Sequence, residues 1–291
     1  MIFKLLTGSN YRKINILLKN IIKEHSVKYP QLNYISITFH VREKADIFMS
    51  HGCADKNYRE IENCKYLHKF KLILVPGPWL KNKLINLGIP SYKIACVGWP
   101  KVDKLFKQNV KRELKGEKTI LWAPTHNVNH LQRNKNTPNN SLSSYPKLND
   151  HMALLNNIQG IKVIKSEHPK NRLNKMVTVD KLVKCDYVIA DGGSTIYEAW
   201  ALGKPVIFPD WIVKEKIMRI SRGVSAEHFI YSNNIGYHAN NINELVNFLK
   251  SDLTIESDVT EFMEEYMPRK FNGTSAKAVV DEIIKNIHLF K

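Results

Sequence analysis

Four short segments in this 291-residue chain each carry an apolar run that does not alternate with polar residues and is bounded by a turn. They are residues 71–76 (KLILVP), Thr119 to Ala123 (TILWA), Tyr187 to Ala190 (YVIA), and the stretch from Leu202 that closes on Val206-Ile207-Phe208. A strand with one wet face alternates apolar and polar residues, so a run of strand length that never alternates belongs to a sheet covered on both faces. Helical segments lie between the runs, and this rhythm makes the chain an α/β protein with parallel strands.

The remaining punctuation fills in the order. Residues 11–24 (YRKINILLKNIIKE) place Ile14, Leu17, Leu18, Ile21 and Ile22 at three- and four-residue steps, one face of an amphipathic helix whose other face is basic. Short strands are expected at Tyr34 to Phe39, Ala45 to Ser50, Lys93 to Val97 and Ile161 to Lys165, with helices at 79–87, ended by Gly88, and near 151–157. Asn109 to Lys118 is charged and polar and reads as the crossing between two halves. The domains expected are therefore 1–112 and 113–291, with an Asn-, Ser- and Pro-rich surface loop over about 127–150.

Composition bounds the function. Hydrophobic residues at 43% against 24% charged describe a chain able to bury a core. The net charge of +17 points to anionic partners: nucleic acid, an anionic membrane surface or a phosphate-bearing substrate. Helix-turn-helix, zinc-finger and RNP patterns are absent and the basic residues are dispersed, so nucleic acid is not expected as a partner. Cys53, Cys64, Cys96 and Cys185 stand singly, as reduced thiols of a cytoplasmic protein do. No window approaches the length of a membrane span, although the lysines of the first half could dock on the inner face of the cell membrane.

Ligands of parallel α/β sheets bind beyond the carboxyl ends of the strands. The residues there are His51-Gly52, Gly77, Gly98, Thr125-His126, His168-Pro169 and Asp191-Gly192-Gly193-Ser194. The strongest segment is Cys185 to Asp210, where the strand YVIA runs into Asp191-Gly192-Gly193-Ser194-Thr195 and then into a helix carrying Glu198. Two glycines let a phosphate approach the backbone, and Ser194 and Thr195 add hydroxyls beside the N–H groups of a helix start. Glu198, one turn on, is placed to accept hydrogen bonds from ribose hydroxyls. A plain capped helix is the competing explanation of the Ser and Thr. Asp191 has no second carboxylate at metal-binding spacing, and no metal or other cofactor is expected.

His51 is the residue suited to act as general base, because an imidazole titrating near 6.5 can take a proton from an attacking hydroxyl at neutral pH. His168 can donate to a pyrophosphate and stabilise charge on the leaving group. Thr125 and His126 follow a strand and supply further donors, while Asp103 is expected to fix its own loop. Phe271-Asn272-Gly273-Thr274-Ser275 precedes a helix and reads as its cap.

The strand, Asp-Gly-Gly-Ser-Thr, Glu-Ala helix and Gly203-Lys204-Pro205 turn resemble the nucleotide-binding half of glycosyltransferases with two Rossmann-like domains facing a cleft, the GT-B type. More narrowly, the chain is similar to the CDP-glycerol glycerophosphotransferases of teichoic-acid and capsule polymer synthesis. His51-Gly52, Gly98 to Asp103, Ile120 to Thr125, His168-Pro169, Asp191 to Pro205 and Phe271 to Gly273 occur in that family's order, over about residues 45–280.

The resemblance implies transfer of glycerol phosphate, or a related polyol phosphate, from a CDP-activated donor to a hydroxyl of a polymer or lipid-linked primer. His51 and His168 would be catalytic, and Gly52, Thr125, His126, Asp191, Gly192, Gly193, Ser194, Thr195 and Glu198 would bind nucleotide and phosphate. The family more often carries Asp-Tyr-Ser-Ser where this chain has Asp191 to Ser194, and the Gly-Gly form leans toward sugar-nucleotide epimerases and sugar transferases. An inverting transferase using a UDP- or CMP-sugar, or an epimerase-like enzyme, is the alternative.

Overall fold

The computed structural model describes residues 5–6, 12–39, 44–49, 53–54, 64–108, 116–125, 143–144, 147–166, 178–221 and 225–290. The chain divides into two units, Met1–Lys107 with Phe262–Lys291, and Gln108–Glu261.

The first unit opens with β1 (Leu5–Leu6), helix α1 (Arg12–His25), β2 (Ile37–Thr38), β3 (Ile47–Met49), β4 (Leu72–Val75), α2 (Pro78–Asn86), β5 (Ile94–Cys96) and the short α3 (Asp103–Phe106). Its five strands are all parallel and lie in chain order, β1-β2-β3-β4-β5, with Ile73 paired to Ile94 and Phe48 to Ile73. Every residue of β3 and β4 is buried, as the unbroken apolar runs require. In α1, Leu18 and Ile22 are buried while Lys19 and Lys23 are exposed, so the apolar stripe packs inward and the basic face is solvated. Helix α2 starts with Pro78 at its first position, where the missing N–H costs no hydrogen bond, and ends before Gly88 as the sequence predicts.

The second unit carries β6 (Lys118–Ala123), α4 (Leu148–Asn156), β7 (Ile161–Lys165), α5 (Thr178–Leu182), β8 (Tyr187–Ala190), α6 (Ser194–Ala201), β9 (Val206–Pro209), α7 (Asp210–Ser221), α8 (Ala226–Asn233), β10 (Tyr237–Ala239) and α9 (Ile242–Lys250). Its strands are again all parallel, but the order is β10-β9-β8-β6-β7. After β7 the chain returns past β6 to build β8 on its other side, so the topological switch point lies between β6 and β8. Ala123 pairs with Ala190, and the two strands therefore release their next residues, Pro124-Thr125 and Asp191-Gly192, side by side. Lys118, read as the end of the polar crossing, is instead the first residue of β6; its ammonium meets the carbonyls of Lys250 and Ser251 and the Asp252 carboxylate.

Helix α10 (Ser257–Tyr266) carries the chain out of the second unit, and α11 (Ser275–Lys285) completes the first. This corrects the expectation that 113–291 is one domain, and the reason is packing. Phe262 and Tyr266 stack on each other and against Trp79, with ring centroids 5.3 to 6.3 Å apart. The Tyr266 hydroxyl donates to the Cys53 carbonyl at 2.7 Å. Gly77 passes so close that an added Cβ would lie 2.5 Å from the Tyr266 carbonyl oxygen. Gly98, at φ +72, sits where a Cβ would fall on Phe271 and Ser275.

The Trp99 amide donates to the Ser275 hydroxyl at 2.9 Å, and the Asp103 carboxylate accepts from the amides of Ser275 and Ala276 at 3.1 and 2.7 Å. Thr274, at the cap position of α11, makes no side-chain capping bond. The cap is Asp103, brought from the other end of the unit. Asp103 thus fixes not its own loop but the start of the last helix, and Gly98 to Asp103 forms the receiving surface for Phe271 to Ala276.

Candidate functional site

The switch point of the second unit brings together most of the described candidates. All of β8 is buried, and it ends at Asp191, which is 0% exposed. Asp191 Oδ1 accepts the Thr125 amide at 2.7 Å, Oδ2 accepts the Ser144 amide, and the Asp191 carbonyl accepts the Tyr231 hydroxyl at 3.1 Å. Burial pushes the Asp191 carboxyl up to about 6, opposed by the hydrogen bonds from Ser144 and Thr125. This side chain holds two loop segments together beneath the surface, each of its oxygens already taking a backbone amide.

Above Asp191 the backbone turns into α6. Gly193 is the cap residue, at φ +80 where a side chain would be strained, and it offers no side-chain acceptor to the helix. Its amide donates to Glu227 Oε1 at 3.2 Å. Ser194 and Thr195 are the first two residues of α6, one and two positions inside its cap residue. Gly192 is half-buried, and among the described residues a Cβ added there would meet nothing within 4 Å. Among the described residues the space beside Gly192, next to the head of α6, is therefore open, the arrangement that lets a phosphate approach a helix start. Gly192, Ser194, Thr195 and Thr125 form the half-buried rim, while Glu198, one turn into α6, lies below it at 1% exposure.

Several supporting residues have no signature in the sequence. Ser143 donates to the Thr125 carbonyl at 2.6 Å, and Trp122 Nε1 donates to the Ser144 hydroxyl at 3.1 Å. Helix α8, capped by the Ser225 hydroxyl on the His228 amide, supplies both Glu227 and Tyr231. Burial, with Asp191, Asp210 and Glu227 nearby, raises the Tyr231 hydroxyl well above its usual range, which keeps it a donor. Of these only the cap had a local signal, a serine three residues before the amide it accepts.

His51, Gly52, His126 and His168 lie outside the described residues. None of the four cysteines is in a disulfide; burial pushes the Cys185 thiol up to about 12, which keeps it unreactive. Among the described residues no group of three or more His, Cys, Asp and Glu is arranged to hold a metal ion, and no helix is long and apolar enough to cross a membrane.

No protein-family profile matches the chain, and no curated protein sequence does. Solved structures do. The wall teichoic acid polymerase TagF soaked with CDPG superimposes with a TM-score of 0.61 at 14% identity, over 98% of this chain and 88% of that one. A second TagF structure gives 0.60 at 16% identity with the same coverage. The UDP-GlcNAc 2-epimerase of Methanocaldococcus jannaschii, in complex with UDP-GlcNAc and UDP, gives 0.50 at 17% identity over 96% of this chain and 82% of that one. At these identities what is shared is the fold. The chain has the α/β fold of the GT-B class, two parallel sheets flanked by helices, as TagF and the epimerase do.

Proposed function

We propose that the chain is a transferase of the CDP-glycerol glycerophosphotransferase family. It would move glycerol phosphate, or a related polyol phosphate, from a CDP-activated donor to a hydroxyl of a cell-surface polymer or its lipid-linked primer, releasing CMP. The observation that carries this reading is the room beside Gly192 among the described residues, next to the head of α6 and at the topological switch point of a parallel sheet. The ordered motifs and the likeness to TagF over 98% of the chain support the family.

In this reading the donor pyrophosphate lies over Gly192 toward Ser194 and Thr195, where first-turn amides of α6 offset its charge without a resident metal or cofactor. Glu198 orients the ribose from below. The acceptor oxygen attacks the β-phosphorus, the bond from that phosphorus to the bridging oxygen breaks, and the electron pair leaves with CMP. His51 takes the hydroxyl proton and His168 stabilises the departing phosphate, roles that rest on the family resemblance. Gly52 and His126 line the same path on the same ground. The lipid-linked acceptor places the enzyme in the cytoplasm against an anionic membrane surface, with the exposed Lys19, Lys23 and Lys28 facing it.

A UDP-sugar donor is the second reading, favoured by Gly192-Gly193 and by the likeness to the UDP-GlcNAc 2-epimerase. Calorimetry with CDP, CMP, UDP and UMP separates the two. CDP is expected to bind the wild type, and Gly193→Val and Glu198→Ala to abolish or strongly weaken it. Turnover of CDP-glycerol should then vanish in His51→Ala. Binding of UDP alone overturns the glycerophosphate reading, and binding of no nucleotide overturns both.

A further inference from the structure

We infer that Asp191 is a positioning residue for the donor: without touching it, its carboxylate clamps the Thr125 and Ser144 amides so that the rim beside Gly192 holds the geometry the donor needs. This rests on the donor-binding reading of the seat. The geometry is specific. Each carboxylate oxygen takes one amide, and the two amides come from segments that the sequence separates from Asp191 by 66 and 47 residues. Ser143 reinforces the clamp by donating to the Thr125 carbonyl, and Trp122 does so by donating to the Ser144 hydroxyl.

An ionised carboxylate accepts most strongly on both sides. Protonation turns one oxygen into a hydroxyl, a weaker acceptor for its amide, and an asparagine must turn its NH2 toward one of the two. Among the described residues, the titratable groups packed around the clamp are Tyr231 of α8, whose hydroxyl donates to the Asp191 carbonyl, Glu227 of α8, which holds the Gly193 amide, and Asp210 at the start of α7, near Tyr231. From β6 and from residues 143–144 the carboxylate is met by backbone amides and the Ser144 hydroxyl. Because burial raises Asp191 to about 6, the clamp loosens as pH falls through that value.

The linkage to folding has the opposite sign. A buried carboxyl whose folded pKa exceeds its unfolded one contributes less stability as pH rises from about 4 to about 6, while donor affinity rises over the same window. A residue that served only the fold would not link the two trends in this way.

The test is calorimetric titration of the whole chain with CDP-glycerol, a diphosphate diester with no titrating group near pH 6, between pH 5 and 8, beside thermal unfolding. Wild-type affinity is expected to fall about tenfold for each pH unit below the Asp191 pKa, as loss of one required ionisation dictates. Asp191→Asn is expected to bind weakly and to lose the tenfold-per-unit fall below pH 6, keeping only the pH dependence that the site histidines contribute. Asp103→Asn, a change at the other buried aspartate raised to about 6, is expected to lose stability but keep the wild-type profile.

If wild type binds CDP-glycerol with a profile that Asp191→Asn leaves unchanged, the clamp is wrong and the donor reading stands. If wild type binds neither CDP-glycerol nor UDP-N-acetylglucosamine at any pH, the donor reading falls and takes this role with it. Should Asp191→Asn fail to fold, hydrogen exchange at the wild-type Thr125 and Ser144 amides decides. Exchange that quickens below pH 6 and slows with CDP-glycerol supports the clamp, and exchange indifferent to both overturns it.

Discussion

Asp103 in the first unit and Asp191 in the second are built alike and do different work. Each is buried, each accepts two backbone amides, and burial pushes each carboxyl up to about 6. The amides of Asp103 belong to consecutive residues, Ser275 and Ala276, so the carboxylate replaces the missing cap of α11, and Asp103 and Ser275 are both buried. The amides of Asp191 belong to Thr125 and Ser144, which flank a switch point where Gly192 faces open space. A buried acid is thus no sign of a site by itself. What separates the two is whether the backbone it arranges is covered by protein or left open.

The largest effect expected from this contrast is in Asp103→Ala. It strands two buried amides, at about 1–3 kcal/mol each, so urea unfolding should show a loss of about 4 kcal/mol while nucleotide affinity is kept. A loss of affinity as large as that of Asp191→Ala would erase the distinction. The next is a pH effect. Both carboxyls are raised from 3.8 to about 6, so between pH 4 and 6 the folded chain holds protons that the unfolded chain has released, and stability falls as pH rises. At about 1.4 kcal/mol per pH unit, each aspartate accounts for about 3 kcal/mol across the window. Stability measured against pH in Asp103→Asn should lose the share of this trend that Asp103 carries, about 3 kcal/mol between pH 4 and 6, and an unchanged profile would mean that this carboxyl does not contribute.

What the sequence makes legible follows from how local each signal is. The strands YVIA and TILWA, helix 79–87 with its Pro and Gly ends, and the turn Asp191 to Thr195 each declare themselves within about ten residues, and the structure has them. The return of Phe262 to Lys291 to the first unit does not, because its cap comes from 172 residues away and an aspartate in a loop looks the same whether it caps itself or a distant helix. Ser143, Ser144, Glu227 and Tyr231 are invisible for the same reason. β10 escapes notice because Tyr237-His238-Ala239 is short and half-buried, without the apolar run that marks its neighbours. Leu202 and Gly203, expected to lead into β9, instead close α6, whose final carbonyls take the Leu202 and Gly203 amides.

The smallest effects on stability sharpen the comparison most, because they come from a matched pair of glycines. Gly98→Ala puts a methyl group against Phe271 and Ser275 at a positive φ, and the strain and overpacking together should cost about 2–3 kcal/mol with no change in nucleotide affinity. Gly192→Ala puts the same methyl group into open space, so thermal unfolding should move by less than about 1 kcal/mol, in the stabilising direction if the unfolded chain loses freedom. Its cost should fall on the ligand instead. A phosphate that approaches this backbone as closely as the head of α6 allows would meet the added carbon, and calorimetry should show CDP binding weakened at least tenfold. Unchanged affinity in Gly192→Ala would mean that the open space beside Gly192 is not where the donor lies, and the contrast between the covered aspartate and the open one would lose its functional meaning.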